Sequence, residues 1–324
     1  MPASISVLPV PVAEVADTVQ AEALTKRFAG ITAVDRLRFR VRPAEIFGLV
    51  GPDGAGKTTT LRMLAGVLPP DGGSASVAGC DVVREAELLK TRISYMPQRF
   101  GLYEDLTVEE NIRFYADLFG TDRRTREERA GRLLAASGMS EFRRRLAGQL
   151  SGGMKQKLGL TCALIHTPHV LLLDEPTTGV DPVSRRDFWR ILYSLVDEGV
   201  TVVISTSYLD EAERCHRLAL LRSGRLLLCD TPASLKGRMR GEVVVATSPR
   251  PREVRDALAG APGVLGSLLV GAGVHLNVDD AARIPELEGA LAAAGVPCDS
   301  ILRVEPTMED VFVSVVGEAE GAGG

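Results

Sequence analysis

The stretch Gly51-Pro52-Asp53-Gly54-Ala55-Gly56-Lys57-Thr58 limits what this chain can fold into more than any other, because it fills every fixed position of the G-x-x-x-x-G-K-[ST] phosphate-binding pattern. Just before it, residues 45–50 form a short apolar run of the kind that makes a buried strand. Just after it, residues 59–65 read as a helix. Strand, glycine loop and helix in that order are the context the pattern requires. Glycine admits φ > 0, so successive backbone N–H groups can converge on phosphate oxygens, and the new helix adds the positive end of its dipole. Lys57 has the reach for β- and γ-phosphates, and the Thr58 hydroxyl is placed to ligate Mg²⁺.

A chain of 324 residues has room for about two domains. Its net charge of −4 argues against a nucleic-acid partner held mainly by phosphate neutralisation. No apolar run approaches the ~18 residues of a membrane helix. Residues 1–20 lack the basic start of a secretion signal and read as a disordered tail. The five cysteines (Cys80, Cys162, Cys215, Cys229 and Cys298) are odd in number and scattered, which suits reduced thiols in a cytosolic protein. His166 and His169 flank Pro168 without companions for a metal set, and read as a loop before a strand.

Periodicity and turn chemistry divide the rest. Residues 23–28 and 37–41 read as strands around a turn at Ala29-Gly30, and the cluster 69–73 is a turn before a strand at 74–78. Residues 108–119 carry apolar side chains at helical spacing, with Thr107 and Glu110 set for a capping box. A charged run, 123–132, leads into Leu133-Leu134. Arg143-Arg144-Arg145 reads as a solvated helix face, with proximity to lipid head groups or an acidic partner as the alternative. Apolar strands at 170–174 and 201–205 bracket a helix at 184–197, and Ser223-Gly224 is a hairpin turn. This alternation indicates an α/β fold with an open, partly parallel sheet. Past Lys236-Gly237, a strand (242–247), a helix (252–259), a β pair (264–278), a helix (284–294), a strand (301–304) and a closing helix (306–316) compose a small α+β domain. Residues 317–324 contain Gly, Ala and Glu alone and read as a flexible tail.

Beyond the glycine loop, Asp174 at a strand end suits a Mg²⁺ partner, and Glu175 beside it is placed to orient or deprotonate an attacking water. Leu150-Ser151-Gly152-Gly153-Met154 resembles the LSGGQ signature of ABC ATPases, and it precedes the 171–176 segment as in that family. Gln98, after Tyr95-Met96-Pro97, matches the Q-loop, and Gly179-Val180-Asp181 matches the D-loop. Phe28 stands where the family places an aromatic that stacks on adenine. The resemblance spans residues 21–236. Residues 306–312 resemble the C-terminal helix of ABC-2-type drug-resistance exporter ATPases, and 51–54, 103–106 and 205–213 resemble the first ATPase half of tandem-cassette multidrug exporters.

The resemblance implies a P-loop NTPase core of ABC type with an inserted helical subdomain. It divides the chain into an ATPase domain at 21–238, with the helical part at about 99–165, an accessory domain at 239–317 and a tail at 318–324. It implies ATP and Mg²⁺ bound by Phe28, Gly51, Pro52, Asp53, Gly54, Ala55, Gly56, Lys57, Thr58, Thr59 and Asp174, with Thr58, Gln98 and Asp174 around the metal. Glu175, Gln98 and Ser207 would be catalytic, Ser151, Gly152 and Gly153 would serve a second cassette's nucleotide, and Asp181 would lie at the cassette contact. The implied partners are membrane permease subunits and a second cassette, in a homodimer or heterodimer, on the inner face of the cell membrane. Ser207 departs from the family's usual His, and serine cannot carry positive charge beside a γ-phosphate. A slow site served by a partner with an intact His is the expectation, against a working homodimer in which another group substitutes. Asp53 replaces the usual Asn, and Met154 the usual Gln. Competing classes are a soluble ABC ATPase without a transporter and a non-hydrolysing regulatory cassette.

Overall fold

The computed structural model describes residues 17–271 and 273–321. The chain resolves into two compact units, one formed by Thr58–Ser205 with the segment ending at Ile46, the other by Phe47–Lys57 and Thr206–Gly324. The expected N-terminal tail lies outside the described residues as far as 16, whereas Val19 and Gln20 already pair with Val41 and Arg40.

In the first unit, Val19–Phe28 and Ile31–Val41 form an antiparallel hairpin. Its turn is Ala29-Gly30, both at positive φ, the backbone that matches the twist of a two-residue hairpin. Gly72–Val77 pairs with the other edge of Val19–Phe28 and is followed by Cys80–Asp81. Three parallel strands follow the chain order Ile93–Met96, Val170–Asp174 and Thr201 to Ser205. Val170–Asp174 is buried at every residue, which explains its unbroken apolar reading, since a parallel strand is covered on both faces. Ile93–Met96 and the preceding helix Ala86–Arg92 escape sequence reading, because four residues containing Ser and Tyr carry too short a pattern.

Helices Val108–Leu118, Arg123–Ala136 and Gly152–Leu164 share one core, with Ile112, Leu134 and Leu158 at its centre. The capping box is present: Glu110 N–H donates to the Thr107 hydroxyl, while the Glu110 carboxylate accepts from Thr107 N–H at 2.8 Å. The helix expected at Arg143-Arg144-Arg145 is absent. These residues form a turn after the short 3₁₀ segment Ser140–Phe142. Arg143 and Arg145 carbonyls accept from Glu109 and Val108 N–H at 3.0 Å, so this backbone serves the neighbouring helix start and cannot wind into its own. Arg145 places its guanidinium 5.1 Å from the Phe142 ring centre.

In the second unit, Phe47 to Val50 runs parallel to Arg217–Arg222, which turns through Ser223 and Gly224, at φ 49° and 77°, into Arg225–Asp230. An antiparallel sheet of order Val264–Val270, Gly273–Val278, Glu242–Thr247, Ser300–Val304 carries helices Pro251–Leu258 and Ile284–Ala293 over a core of Val244, Leu276, Leu258 and Leu287. Helix Met308–Gly321 packs Met308 and Val311 against Val50, Ala212 and Leu218. Its backbone stays helical through Gly321, where a flexible tail from 317 was expected; Glu318, Ala319 and Glu320 favour helix. Residues 322–324 lie outside the described residues.

Candidate nucleotide-binding site

The second unit holds the glycine loop. Gly54 and Gly56 take φ of 77° and 96°, which a side chain would oppose. A Cβ on Gly51 would lie 2.2 Å from the Leu221 carbonyl oxygen, so the loop's first residue has room for glycine alone. Ala55 N–H donates to the Pro52 carbonyl at 3.1 Å, and Gly224 N–H donates to the Ala55 carbonyl at 3.2 Å. Lys57 is buried, with Nζ donating to the Gly51 and Pro52 carbonyls at 2.7 and 3.1 Å. The ammonium therefore lies across the start of its own loop, where phosphate oxygens are the stronger acceptors for it. Asp53 is exposed.

The first unit holds the acidic residues. Asp174 is 1% exposed, and its Oδ1 accepts from the Thr58 hydroxyl at 2.9 Å and the Ser205 hydroxyl at 2.7 Å. The Tyr95 hydroxyl approaches Oδ2 at 3.3 Å; burial, then the Asp174 charge, push its pKa up and keep it a donor. Glu175 N–H donates to the Ser205 hydroxyl at 2.9 Å and to its carbonyl at 3.2 Å. Glu175 takes φ 46°, a left-handed backbone unusual for this residue type. Its carboxylate accepts from Thr178 Oγ1 at 3.3 Å and Gln98 Nε2 at 3.4 Å. A hydroxyl, a carboxylate and an amide oxygen are the hard donors Mg²⁺ selects, so Thr58, Asp174 and Gln98 fit that ion.

Thr58 thus meets Asp174 and Gln98 meets Glu175, whereas Ser205 and Tyr95, which contact the same acidic pair, were not named from the sequence. Ser205 was legible as a hydroxyl ending an apolar strand; nothing in the sequence reveals that its strand lies beside Asp174. Phe28 ends its strand 45% exposed, with Lys26 Nζ 5.6 Å from its ring centre. Ser207 is half-buried, just past the Thr206 hydroxyl that donates to Glu211 at 2.8 Å.

Ser151 caps helix Gly152–Leu164, its hydroxyl accepting from Met154 N–H at 3.3 Å. Gly152 has open space where a side chain would project. Gly153 is different: a Cβ there would lie 2.7 Å from Ser184 Oγ, so this glycine serves helix–helix approach. Asp181 caps Pro182–Asp197 by accepting from Ser184 and Val183 N–H at 2.9 and 3.1 Å. Those hydrogen bonds, Ser184's first, hold its carboxyl below the usual range.

Residues 34–178 match the family described as ABC transporter. The Nod factor export ATP-binding protein I of Burkholderia pseudomallei (strain 1710b) is 38% identical over 90% of this chain and 94% of its own length. This chain belongs to the ABC transporter family of ATP-binding proteins. It is therefore an ABC-type cassette, of an ATPase class, as the motif order implied. The probable multidrug ABC transporter ATP-binding protein YbhF of Escherichia coli (strain K12) is 44% identical over 91% of this chain, which spans 51% of that protein. A solved ATP-binding subunit of an ABC transporter superposes with a TM-score of 0.63 at 27% identity, over 68% of this chain and 92% of the other. The P-loop NTPase fold of ABC ATPases is thereby established. No helix among the described residues is long and apolar enough to cross a membrane.

Proposed function

We propose that this cassette binds and hydrolyses ATP to drive export of a drug-like or lipophilic substrate through a separate membrane permease. One observation carries the reading: Ser205 ties Asp174 and the Glu175 backbone together, so the metal-side carboxylate and the candidate base are held by one hydroxyl. In this reading residues 21–238 are the ATPase domain, with a helical part at about 99–165, and 239–317 an accessory domain. Phe28 stacks on adenine, while backbone N–H groups of the Gly51–Thr59 stretch, Pro52 having none, and the Lys57 ammonium hold the phosphates. Thr58, Asp174 and Gln98 hold Mg²⁺, which when bound offsets negative charge on the phosphate oxygens. Glu175 accepts the proton of the attacking water, and Gln98 steadies that carboxylate.

Two cassettes close on the nucleotide, in a homodimer or heterodimer. Ser151, Gly152 and Gly153 of one approach the γ-phosphate held by the other, and Asp181 lies at their contact. The multidrug wording attached to YbhF and the export wording attached to the Nod factor protein support an export role. Docking to a permease would place the cassette on the inner face of the cell membrane, with no nucleic-acid partner. Replacing Glu175 with Gln in the full chain should abolish turnover while ATP and Mg²⁺ convert the protein to a stable two-cassette form on size-exclusion chromatography. A variant that stays monomeric with saturating ATP and no second cassette partner, or that hydrolyses at the parent rate, removes the basis of the mechanism. Purification from membranes should bring a permease along; recovery of the cassette with no integral membrane protein would sink the export role.

A further inference from the structure

We propose that Tyr95 is a positioning residue for the metal: its hydroxyl holds the second carboxylate oxygen of Asp174 and so fixes how Thr58 presents its own oxygen to Mg²⁺. This role rests on the nucleotide-binding reading given above, which makes no use of Tyr95. Strand pairing brings the tyrosine to the carboxylate. Ile93–Met96 runs parallel to Val170–Asp174 and sets Tyr95 beside Leu172, two residues before Asp174. Tyr95 is half-buried there, with its hydroxyl 3.3 Å from Asp174 Oδ2.

The direction of each hydrogen bond follows from the groups involved. An ionised carboxylate only accepts, and a guanidinium only donates. Asp174 Oδ1 therefore takes the protons of Ser205 and Thr58, whose oxygens lie 2.7 and 2.9 Å away. Among the described residues, Tyr95 is the donor to Oδ2. The Arg62 guanidinium also reaches the phenol oxygen, and since it can only donate there, the phenol proton is left for Asp174. The Thr58 proton is committed to Asp174 as well, which leaves the lone pairs of that hydroxyl for a hard cation. With both oxygens held, the buried carboxylate cannot turn, and Thr58 keeps its orientation. Removing the phenol hydroxyl takes that donor from Oδ2 and lets Asp174 turn about the two hydroxyls on Oδ1. Three residues after Tyr95, Gln98 donates to Glu175 at 3.4 Å, so one short segment serves both carboxylates.

The test compares the full chain with Tyr95→Phe, which keeps the half-buried ring and removes only the hydroxyl. Affinity for a fluorescent ADP analogue is measured in Mg²⁺ and in EDTA, with the melting temperature of both proteins recorded to show that the fold persists. The ratio of the two affinities is the metal's contribution to binding, read without turnover. Tyr95→Phe should lower that ratio about fivefold, the worth of one ordinary hydrogen bond, with affinity in EDTA held within about twofold of the parent. Titration of Mn²⁺ into the ADP complex, followed by electron paramagnetic resonance, should show the same loss. An unchanged ratio, or an equal fall in affinity with and without metal, would overturn the role of Tyr95 and leave the nucleotide site standing. A parent chain that binds no ADP in either condition would instead remove the nucleotide reading, and this role with it.

Discussion

Ser205 is fully buried and works in three directions, donating to Asp174 and accepting from Glu175 N–H through both its hydroxyl and its carbonyl. Removing the hydroxyl takes one of two acceptors from the Glu175 N–H and a donor from Asp174, beside a residue whose left-handed φ depends on surrounding contacts. Ser205→Ala should therefore reduce kcat by about 10- to 100-fold through mispositioning, with KM for ATP nearly unchanged and partial rescue in Ser205→Thr. Equal loss in kcat and ATP affinity would show that the hydroxyl supports the fold alone. Two residues further on, Ser207 is proposed to occupy the position of the family's usual His. Ser207→His should raise steady-state ATPase activity of the purified chain, by up to about 100-fold if the missing group is worth one positioned donor; an unchanged rate points to a substitute group nearby. Glu175 and Ser207 could be proposed from the sequence because each stands at a fixed offset from a recognisable run. Tyr95 and Ser205 were not, being 79 and 31 residues from the carboxylate they contact.

Local patterns decided most elements, because caps and turns act over a few residues. The Thr107–Glu110 box and the Ser223-Gly224 hairpin are examples in which adjacent side chains or φ preferences suffice. Thr107→Ala should cost about 1 kcal/mol of stability in urea unfolding, with nucleotide binding retained. At the signature helix, Gly153→Ala should be far more damaging than Gly152→Ala, since only the former pushes a methyl into Ser184. Thermal melting of the two variants checks this, and equal shifts would count against the close helix approach. Arg143-Arg144-Arg145 shows the limit of local reading: its composition suits a helix, yet its carbonyls serve the start of another helix. The Ile93–Met96 strand shows the other limit, for its length is too short to display a period and its place comes from pairing with Val170–Asp174.

Across the molecule the five cysteines are free thiols, three buried and two partly accessible. Burial pushes the Cys162 and Cys215 thiols well above their ordinary range and suppresses the reactive thiolate. Maleimide labelling of the native chain should accordingly reach Cys229 and Cys298 first, with all five modified after denaturation; mass spectrometry finding Cys162 or Cys215 labelled early would refute the packing around them. The sequence alone carried the glycine loop, the family resemblance and the order of most strands and helices, because glycine-loop geometry, capping and apolar periodicity are encoded within a few residues of one another. Tertiary structure alone decided which hydroxyl holds Asp174 and Glu175, that Asp181 and Gly153 serve helix capping and packing, and that Tyr95 reaches Asp174. Those contacts join residues far apart in the chain, and their geometry exists only after strands have chosen neighbours and helices have closed on their cores.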